Sequence, residues 1–308
     1  MREVSIVCLM CVFLFYQGYS QNDSLPTVVG DTITKGSVSI IPKQGVEPKV
    51  VLNKKEQVYK LKLGVDIPII TVGTGWSLYA FTKIYNKPHP DTMQVQSLNS
   101  DNINALDRGM MYPYSKSMND VSYYPFYAAM PLPLFFFLSD NEMLSDFFKL
   151  TFLYWEAMSV TGLLGTNATF HVDRYRPYAY FHDSHGTMDN EAPIGVVKNS
   201  FYAGHVQIVA TPTFFLAKVY ADYHPDSKIK WVFYGVASAA TVSMAYMRIR
   251  AGEHFPSDVL LGAATGALAG ILVPQFHKTK STNPPAMGIM PYSTGDINGL
   301  VLTYNFKR

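Results

Sequence analysis

The chain has 308 residues, of which 48% are hydrophobic and only 16% are charged, and its formal net charge is +2. Globular proteins usually carry about a quarter of charged residues, so this chain is unusually apolar. The nearly neutral balance provides no basic surface for phosphate contacts and argues against a nucleic-acid partner. Aromatic residues make up 14% of the chain, a content that suits membrane interfaces and large cores alike.

The first 20 residues are typical of a secretory signal peptide. Arg2 precedes an apolar run, and the small residues Gly18 and Ser20 come before a polar stretch, which places cleavage after Ser20. Both cysteines, Cys8 and Cys11, lie inside this run. The mature chain is therefore expected to have no disulfide and no thiolate metal site. Residues 21–59 are polar with strand-like patches and are predicted to form an extended N-terminal arm.

Residues 60–278 are predicted to form an all-α domain, a bundle of six helices. Most of the apolar segments are near the length that crosses a bilayer, and runs such as GAATGALAG allow close helix packing. The segments are Gly64 to Tyr85, Val121 to Leu138, Leu144 to Phe170, Phe201 to Tyr220, Trp231 to Met247 and Phe255 to Phe276.

Two interpretations of this bundle stay open, because Asp66, Lys149, Glu156 and Lys218 interrupt the apolar segments. The helices either span a membrane or form the core of a soluble bundle. A long polar connection, residues 86–120, separates the first two segments, and connections of this length are usually functional. The tail, 279–308, ends in an Asn-Gly turn signal followed by an alternating, β-like strand.

The stretch MRIRAGEHFPSD, residues 247–258, places a cation, an imidazole and a carboxylate at fixed spacings. If a helix begins near Pro256, Asp258 lies about one turn beyond His254 and could accept its ring N–H. Arg248 lies across a turn containing Gly252 and could hold an anion over the imidazole. The alternative is an ordinary helix N-terminus in which His254 has no chemical role.

Two further sites lie at predicted helix ends. In SFYAGHVQ, Gly204 and His205 stand at the start of the fourth helix, where free backbone N–H groups favour an anion. In HVDRYRPYAY, Pro177 is predicted to end the third helix, with Arg176 at its edge. Each has a structural alternative: His205 as a capping or packing residue, and Arg176 as a basic helix terminus.

Together the three sites, in this chain order, resemble the signature of the type 2 phosphatidic acid phosphatase (PAP2) superfamily, which includes bacterial class A acid phosphatases and vanadium haloperoxidases. The family pattern is K-x6-R-P, then P-S-G-H, then S-R-x5-H-x3-D. This chain has Arg176-Pro177, then Gly204-His205, then Arg248, His254 and Asp258. The resemblance extends over residues 144–276, and the joint occurrence is far more specific than any one motif.

The resemblance implies a phosphatase that needs no metal and no other cofactor. His254 would attack phosphorus and form a phosphohistidine, Asp258 would orient it, and His205 would protonate the leaving group. Arg176, Arg248 and the backbone N–H of Gly204 would bind the phosphoryl oxygens. The histidine- and acid-containing stretch at 182–191 lies between the motifs and is interpreted as a solvated or substrate-facing loop rather than a metal site.

Four positions, spread over the three motifs, depart from the family pattern. Thr169 replaces the lysine of the first motif, Tyr202 and Ala203 replace the proline and serine of the second, and Met247 replaces the serine of the third. Losing one preorganised contact to the transition state typically costs about 10² in rate. The candidate substitutes for the missing cation are Arg174, Lys198 and Arg250.

Two classes of function follow. The first is a cell-envelope phosphatase that acts on a lipid phosphate or diphosphate, or on a small phosphomonoester. The second is a weak or inactive relative that binds phosphorylated lipid or has a structural role; retention of both histidines and the aspartate favours activity. A vanadate-dependent haloperoxidase is a distant third, because it would depend even more on the missing lysine and serine.

The expected location is the cell envelope, in or on a membrane, with an outward-facing, periplasmic site. A cleaved signal peptide followed by three spans would instead place the motifs inside. The expectation therefore requires that one segment does not cross the membrane, that the signal is not cleaved, or that the whole bundle is exported.

Overall fold

The computed structural model describes residues 57–183 and 188–279, together with the backbone of 287–293 and 298–304. The predicted signal peptide and almost all of the predicted N-terminal arm lie outside the described residues.

The described part of the chain is an all-α bundle, as predicted. Each of the six apolar segments is helical, and the second is divided between two consecutive helices. The α-helices are α1 (Leu63–Ile84), α2 (Thr92–Gln96), α3 (Ala105–Arg108), α4 (Lys116–Ala129), α5 (Leu132–Ser139), α6 (Asn141–Leu144), α7 (Phe147–His171), α8 (Gly204–Tyr223), α9 (Lys230–Arg250) and α10 (Pro256–His277). Short 3₁₀ turns occur at Ser100–Asn102, Pro177–Tyr180 and Ile194–Val196.

Helix α8 is the centre of the bundle, and α7, α9 and α10 pack around it. The approach of α10 depends on glycines spaced four residues apart. A Cβ at Gly262 would come within 2.6 Å of the Ala203 carbonyl oxygen, and a Cβ at Gly266 within 2.5 Å of the Gln207 carbonyl oxygen. Only glycine permits these backbone contacts, so the glycine and alanine spacing does bring two helices close together.

Two apolar clusters stabilise the two ends of the bundle. The cluster beside the motifs joins α8, α9 and α10 through small and aliphatic side chains: Ala129, Ala203, Val206, Val209, Met244 and Val259. The larger cluster at the other end is rich in aromatic rings, and it includes Tyr59, Phe137, Tyr154, Phe215 and Tyr223. Each fully buried Phe or Leu contributes roughly 1.5–3 kcal/mol by leaving water.

The third predicted helix ends earlier than the sequence suggested. Helix α7 stops at His171 instead of continuing to Arg176, and Pro177 opens a 3₁₀ turn. The chain between them is extended, and Arg174 forms an isolated parallel bridge with Asn199. A residue that precedes proline is driven out of the helical region, but here the chain leaves the helix five residues earlier to make this bridge.

The tail contains an antiparallel hairpin of β1 (Met287–Ser293) and β2 (Asn298–Tyr304). The predicted strand near the C-terminus is therefore present. The Asn-Gly pair belongs to β2, where Gly299 lies opposite Tyr292, so its interpretation as the turn was wrong.

Large apolar side chains cover the outer faces of α1, α9 and α10. Two stretches, Lys116–Ser139 and Pro256–His277, are long and apolar enough to cross a membrane by length and composition. The apolar side chains that are at least half exposed include Val65, Ile67, Val72 and Leu78 on α1, Trp231, Val232, Val236 and Val242 on α9, and Leu260, Leu268 and Phe276 on α10. Exposed apolar side chains in this number are typical of surfaces that contact lipid or another protein.

Candidate active site

The turn between α9 and α10 carries the third motif, and a glycine makes it possible. Gly252 has φ of +70°, a conformation that side chains rarely adopt. A Cβ at this position would lie 2.6 Å from the carbonyl oxygen of Tyr112 and 2.7 Å from that of Pro113. The polar connection before α4 therefore packs directly on the motif.

Helix α10 starts where the sequence predicted. Pro256 occupies its first turn, and the Asp258 carboxylate accepts the backbone N–H of Phe255 at 3.0 Å. This is an N-terminal cap supplied from the third helical position. It places the carboxylate of the third motif at the positive end of the helix dipole.

The predicted hydrogen bond between His254 and Asp258 is wrong. His254 Nδ1 bonds instead to the backbone carbonyl oxygen of Ser200, at 2.7 Å. Asp258 accepts the Ser200 hydroxyl at 2.6 Å and pairs with Arg174. The capping bond to Phe255 keeps the carboxylate of Asp258 at the start of its own helix. Asp258 therefore acts on the imidazole indirectly: it binds the Ser200 hydroxyl, and the Ser200 carbonyl binds His254.

The bond to Ser200 determines the tautomer of His254. A carbonyl oxygen can only accept, so Nδ1 carries a proton and Nε2 is left with a lone pair when the ring is neutral. Burial lowers the pKa of His254 well below its ordinary value, and the positive charges of Arg176 and Arg248 lower it further. The imidazole is therefore uncharged at neutral pH and able to act as a nucleophile.

His205 is the second residue of α8, as predicted, and its ring is enclosed by aromatic side chains. The ring centroids of Tyr123 and Phe126 lie 5.1 Å and 4.6 Å from its own. Among the described residues, none offers a hydrogen-bond partner to the buried His205 Nε2. An orphaned ring nitrogen at the start of a helix is available to a substrate atom.

One cavity brings the motifs together. It has a volume of about 120 Å³, and it is lined by Arg176 from the first motif, Gly204 and His205 from the second, and His254 from the third. A Cβ at Gly204 would meet nothing within 4 Å, so the start of α8 is open at this point. The rest of the lining includes Phe81 and Ile84 of α1, Tyr85 directly after it, Thr166 and Thr169 of α7, and Tyr202 and Gln207.

The two motif arginines share a carboxylate. The side chain of Glu253 forms ion pairs with Arg176 and with Arg248, the second at 2.9 Å. Arg248 also donates to Asn119 at 2.8 Å and to Ser122 at 2.9 Å, and it is not among the residues that line the cavity. An internal carboxylate thus forms ion pairs with both guanidinium groups that the resemblance assigns to phosphate.

The three candidate substitutes for the missing lysine are engaged elsewhere, and none lines the cavity. Arg174 pairs with Asp107 at 2.7 Å and with Asp258. Lys198 lies over the ring of Tyr175, and Arg250 lies over the ring of Tyr112.

A different lysine stands near the place of the missing one. Lys87, from the connection after α1, donates to the backbone carbonyl oxygen of Thr169 at 2.6 Å and pairs with Asp173 at 2.7 Å. No motif surrounds Lys87 in the sequence. Its position beside Thr169 becomes visible only when α1 packs against α7.

No role was predicted from the sequence for four residues that support the site: Ser200, Glu253, Asn119 and Asp107. Asp107 is fully buried and accepts the Arg174 guanidinium, the Ser257 hydroxyl at 2.7 Å and the Ser257 backbone N–H at 2.9 Å. The polar connection therefore fastens the start of α10. In the sequence, the unusual length of this connection was the feature that pointed to a role.

The fold and site define a helical protein in which two histidines and an arginine, each at the edge of a helix, meet in one cavity. Residues 150–282 match the family model of the PAP2 superfamily. This region of the chain is therefore a PAP2-superfamily domain, as the three motifs predicted.

A solved structure from Bacillus subtilis, described as the first transmembrane PAP2-type phosphatidylglycerolphosphate phosphatase, is similar to this chain. Its sequence identity is 20%, the match covers 67% of this chain and 96% of that chain, and the TM-score is 0.38. No curated protein matches the chain.

Proposed function

We propose that the protein is a phosphatase of the PAP2 superfamily that hydrolyses a phosphorylated lipid through a phosphohistidine. The observation that carries the proposal is the cavity in which Arg176, His205 and His254 meet. These residues come from three distant parts of the chain. Phosphoryl transfer needs a nucleophile, a proton donor and an anion-binding group in one concave site, and these three residues supply them.

The first step is attack on phosphorus. The lone pair on His254 Nε2 forms the P–N bond while the P–O bond to the lipid alcohol breaks, and a protonated His205 gives its proton to the departing oxygen. Burial and the two arginines lower the pKa of His205, and the negative charge of the bound phosphate offsets the arginines and favours the protonated ring. The Ser200 carbonyl keeps the proton of Nδ1 and stabilises the positive ring as it forms. Arg176 and the N–H groups at the start of α8 bind the phosphoryl oxygens.

The second step regenerates the enzyme. A water molecule attacks the phosphohistidine, His205 takes one of its protons, and the P–N bond breaks to release inorganic phosphate. The same imidazole that donated a proton in the first step accepts one in the second. Each step uses residues that line the cavity.

A lipid substrate is supported by the apolar wall of the cavity. Phe81 and Ile84 of α1, and Tyr85 at its C-terminal end, line the same cavity as the motif residues. Helix α1 is also one of the helices whose outer face exposes large apolar side chains. A lipid with its headgroup at His254 could leave its chains against this helix.

We propose further that the exposed faces of α1, α9 and α10 lie in the membrane of the cell envelope, with the site on the outer, periplasmic side. A protease-sensitive tag inserted between Phe181 and Lys198 tests this side. In sealed inside-out vesicles the tag should be protected, and cleavage there would place the motifs in the cytoplasm.

The second candidate is a binding protein of low or no activity. The observation in its favour is Glu253, which neutralises both motif arginines, in a chain that also lacks the motif lysine and serine at Thr169 and Ala203. Such a protein would hold a phosphorylated lipid without turning it over.

Phosphate release by the purified chain, without added metal, separates the two candidates. The substrates are lipid phosphates, lipid diphosphates and soluble phosphomonoesters. His254→Ala should abolish turnover, whereas His224→Ala, a histidine bonded to Asp140 outside the cavity, should retain it. No turnover by the parent chain, with lipid-phosphate binding still measurable, would favour the second candidate.

A further inference from the structure

Three metal-binding side chains converge at the end of the bundle opposite the motifs. Asp66 lies in the first turn of α1, Glu156 in α7, and His277 is the last residue of α10. One ligand atom from each lies within 4.8 Å of the other two. His277 Nε2 is 3.0 Å from Asp66 Oδ1 and 3.6 Å from Glu156 Oε2. All three side chains are buried, with at most 5% of each exposed.

Backbone groups hold the outer atoms of the cluster, and its inner atoms face one another. His277 Nδ1 bonds to the Val273 carbonyl oxygen at 2.8 Å, so Nδ1 carries the proton and Nε2 faces the carboxylates. The second oxygen of Asp66 accepts the backbone N–H of Lys62 at 2.6 Å, while Oδ1 points at the imidazole. Metal-bound histidines almost always donate their other N–H in this way, often to a backbone carbonyl.

The strongest argument for a bound cation comes from the Glu156 carboxylate. Within the described ranges, its Oε2 has no hydrogen-bond partner and no exposure to solvent. A buried carboxylate oxygen without a donor costs several kcal/mol unless a positive charge compensates it. The nearby ammonium of Lys62 is committed to the Phe276 carbonyl oxygen at 3.0 Å.

A cavity of about 460 Å³ opens beside the cluster. Asp66, Glu156 and His277 line it together with apolar side chains of α7 and α10, including Val160, Leu268 and Leu272. Water in this space could complete the coordination of an ion held by three protein atoms.

We propose that Asp66, Glu156 and His277 bind a divalent transition-metal ion, with Zn²⁺ as the first choice. One imidazole and two carboxylates match the donor preference of zinc, and their two negative charges balance the ion. In a tetrahedral zinc site with bonds of about 2.0–2.1 Å, ligand atoms lie roughly 3.3 Å apart. The measured separations of 3.0 and 3.6 Å lie on either side of this value.

The ion would join the start of α1 to the end of α10. The backbones already meet here, because the N–H of Lys60 donates to the His277 carbonyl oxygen at 2.9 Å. His277 follows Asp258 by 19 residues on one helix, which corresponds to about 28 Å at 1.5 Å per residue. The site is therefore structural and independent of the phosphatase chemistry.

The test measures bound metal and thermal stability of the full chain. After purification without chelator, elemental analysis should find about one zinc ion per chain. Glu156→Gln and His277→Gln should each reduce the bound metal to background and remove the Tm increase that Zn²⁺ produces in chelated protein. The matched control is His224→Gln, because His224 bonds to Asp140 at 2.9 Å and, in the part of the chain that the structure describes, belongs to no group of three possible ligands. This control should bind zinc as the parent chain does.

Two results would overturn the proposal. The parent chain could bind no zinc and show no Tm change, which would make the cluster an ion network around a protonated His277. Alternatively, zinc binding could persist in Glu156→Gln and His277→Gln. If a variant does not fold, Co²⁺ added to the parent chain decides: a tetrahedral absorption band displaced by zinc supports the site, and its absence refutes it. Loss of phosphatase activity in His254→Ala leaves these readouts unchanged.

Discussion

Replacing Glu253 by glutamine should strengthen oxyanion binding, because the negative charge of this carboxylate is paired with both motif arginines and competes with an oxyanion for them. Its ion pair with Arg248 is 2.9 Å long, and it pairs with Arg176 as well. A hydrogen bond to a charged group contributes about 1.5–3 kcal/mol. A phosphate that no longer competes with this carboxylate should gain about that amount, which is roughly 10- to 150-fold in affinity.

The same substitution should lower the stability of the free protein. Breaking a buried ion pair leaves an uncompensated charge and typically costs about 3–5 kcal/mol. The Tm of Glu253→Gln should therefore fall, and phosphate or orthovanadate should raise it by more than it raises the Tm of the parent chain. The inhibition constants of both anions measure the gain in affinity.

The control is Glu191→Gln, which removes the same charge from an exposed pair with Lys116 at 3.5 Å. It should change neither the Tm nor the inhibition constants. Unchanged or weaker anion binding by Glu253→Gln would refute the reasoning, because it would mean that Glu253 positions the arginines for the oxyanion and does not compete with it.

Three further predictions concern the same end of the bundle. Because burial lowers the pKa of His254, the neutral nucleophile should persist below pH 6.5, so the acidic limb of the kcat/KM profile should lie below that pH; a limb at or above the ordinary pKa would contradict this. Ser200→Ala removes the hydroxyl bond to Asp258 and leaves a buried carboxylate oxygen with one donor fewer, which should cost about 1–3 kcal/mol in the free energy of unfolding and lower kcat more than it changes KM. Gly252→Ala should lower the free energy of unfolding by more than about 1 kcal/mol, because its φ is +70° and the new Cβ would meet backbone oxygens. The control is Gly235→Ala, whose new Cβ would meet nothing within 4 Å and which should be neutral or stabilising in denaturant titrations.

The helices could be predicted because their composition is extreme. Each apolar segment is long, and the start of α10 is marked by Pro256 and Asp258, the first and third residues of its first turn. The end of α7 could not be predicted. It depends on the bridge between Arg174 and Asn199, a contact between residues 25 positions apart.

The motif residues could be located by their spacing, and their partners could not. Spacing along one helix suggested that His254 and Asp258 bond to each other, but the imidazole bonds to Ser200, 54 residues earlier in the chain. Glu253 stands next to His254 in the sequence, and only the fold shows that it reaches two arginines. Local patterns identify the reacting groups, and tertiary packing decides what holds them.

The polar connection before α4 has a consequence for any attempt to isolate the catalytic region. The part of the chain that matches the family model begins at residue 150, but Asp107 and Asn119 lie before it. A fragment that began at residue 150 would keep both reacting histidines while it lost the acceptors that Arg174 and Arg248 need. The buried guanidinium of Arg248 and the partly buried guanidinium of Arg174 would then lack these partners. The smallest self-sufficient unit for expression or transplantation therefore includes the polar connection, well ahead of the first motif.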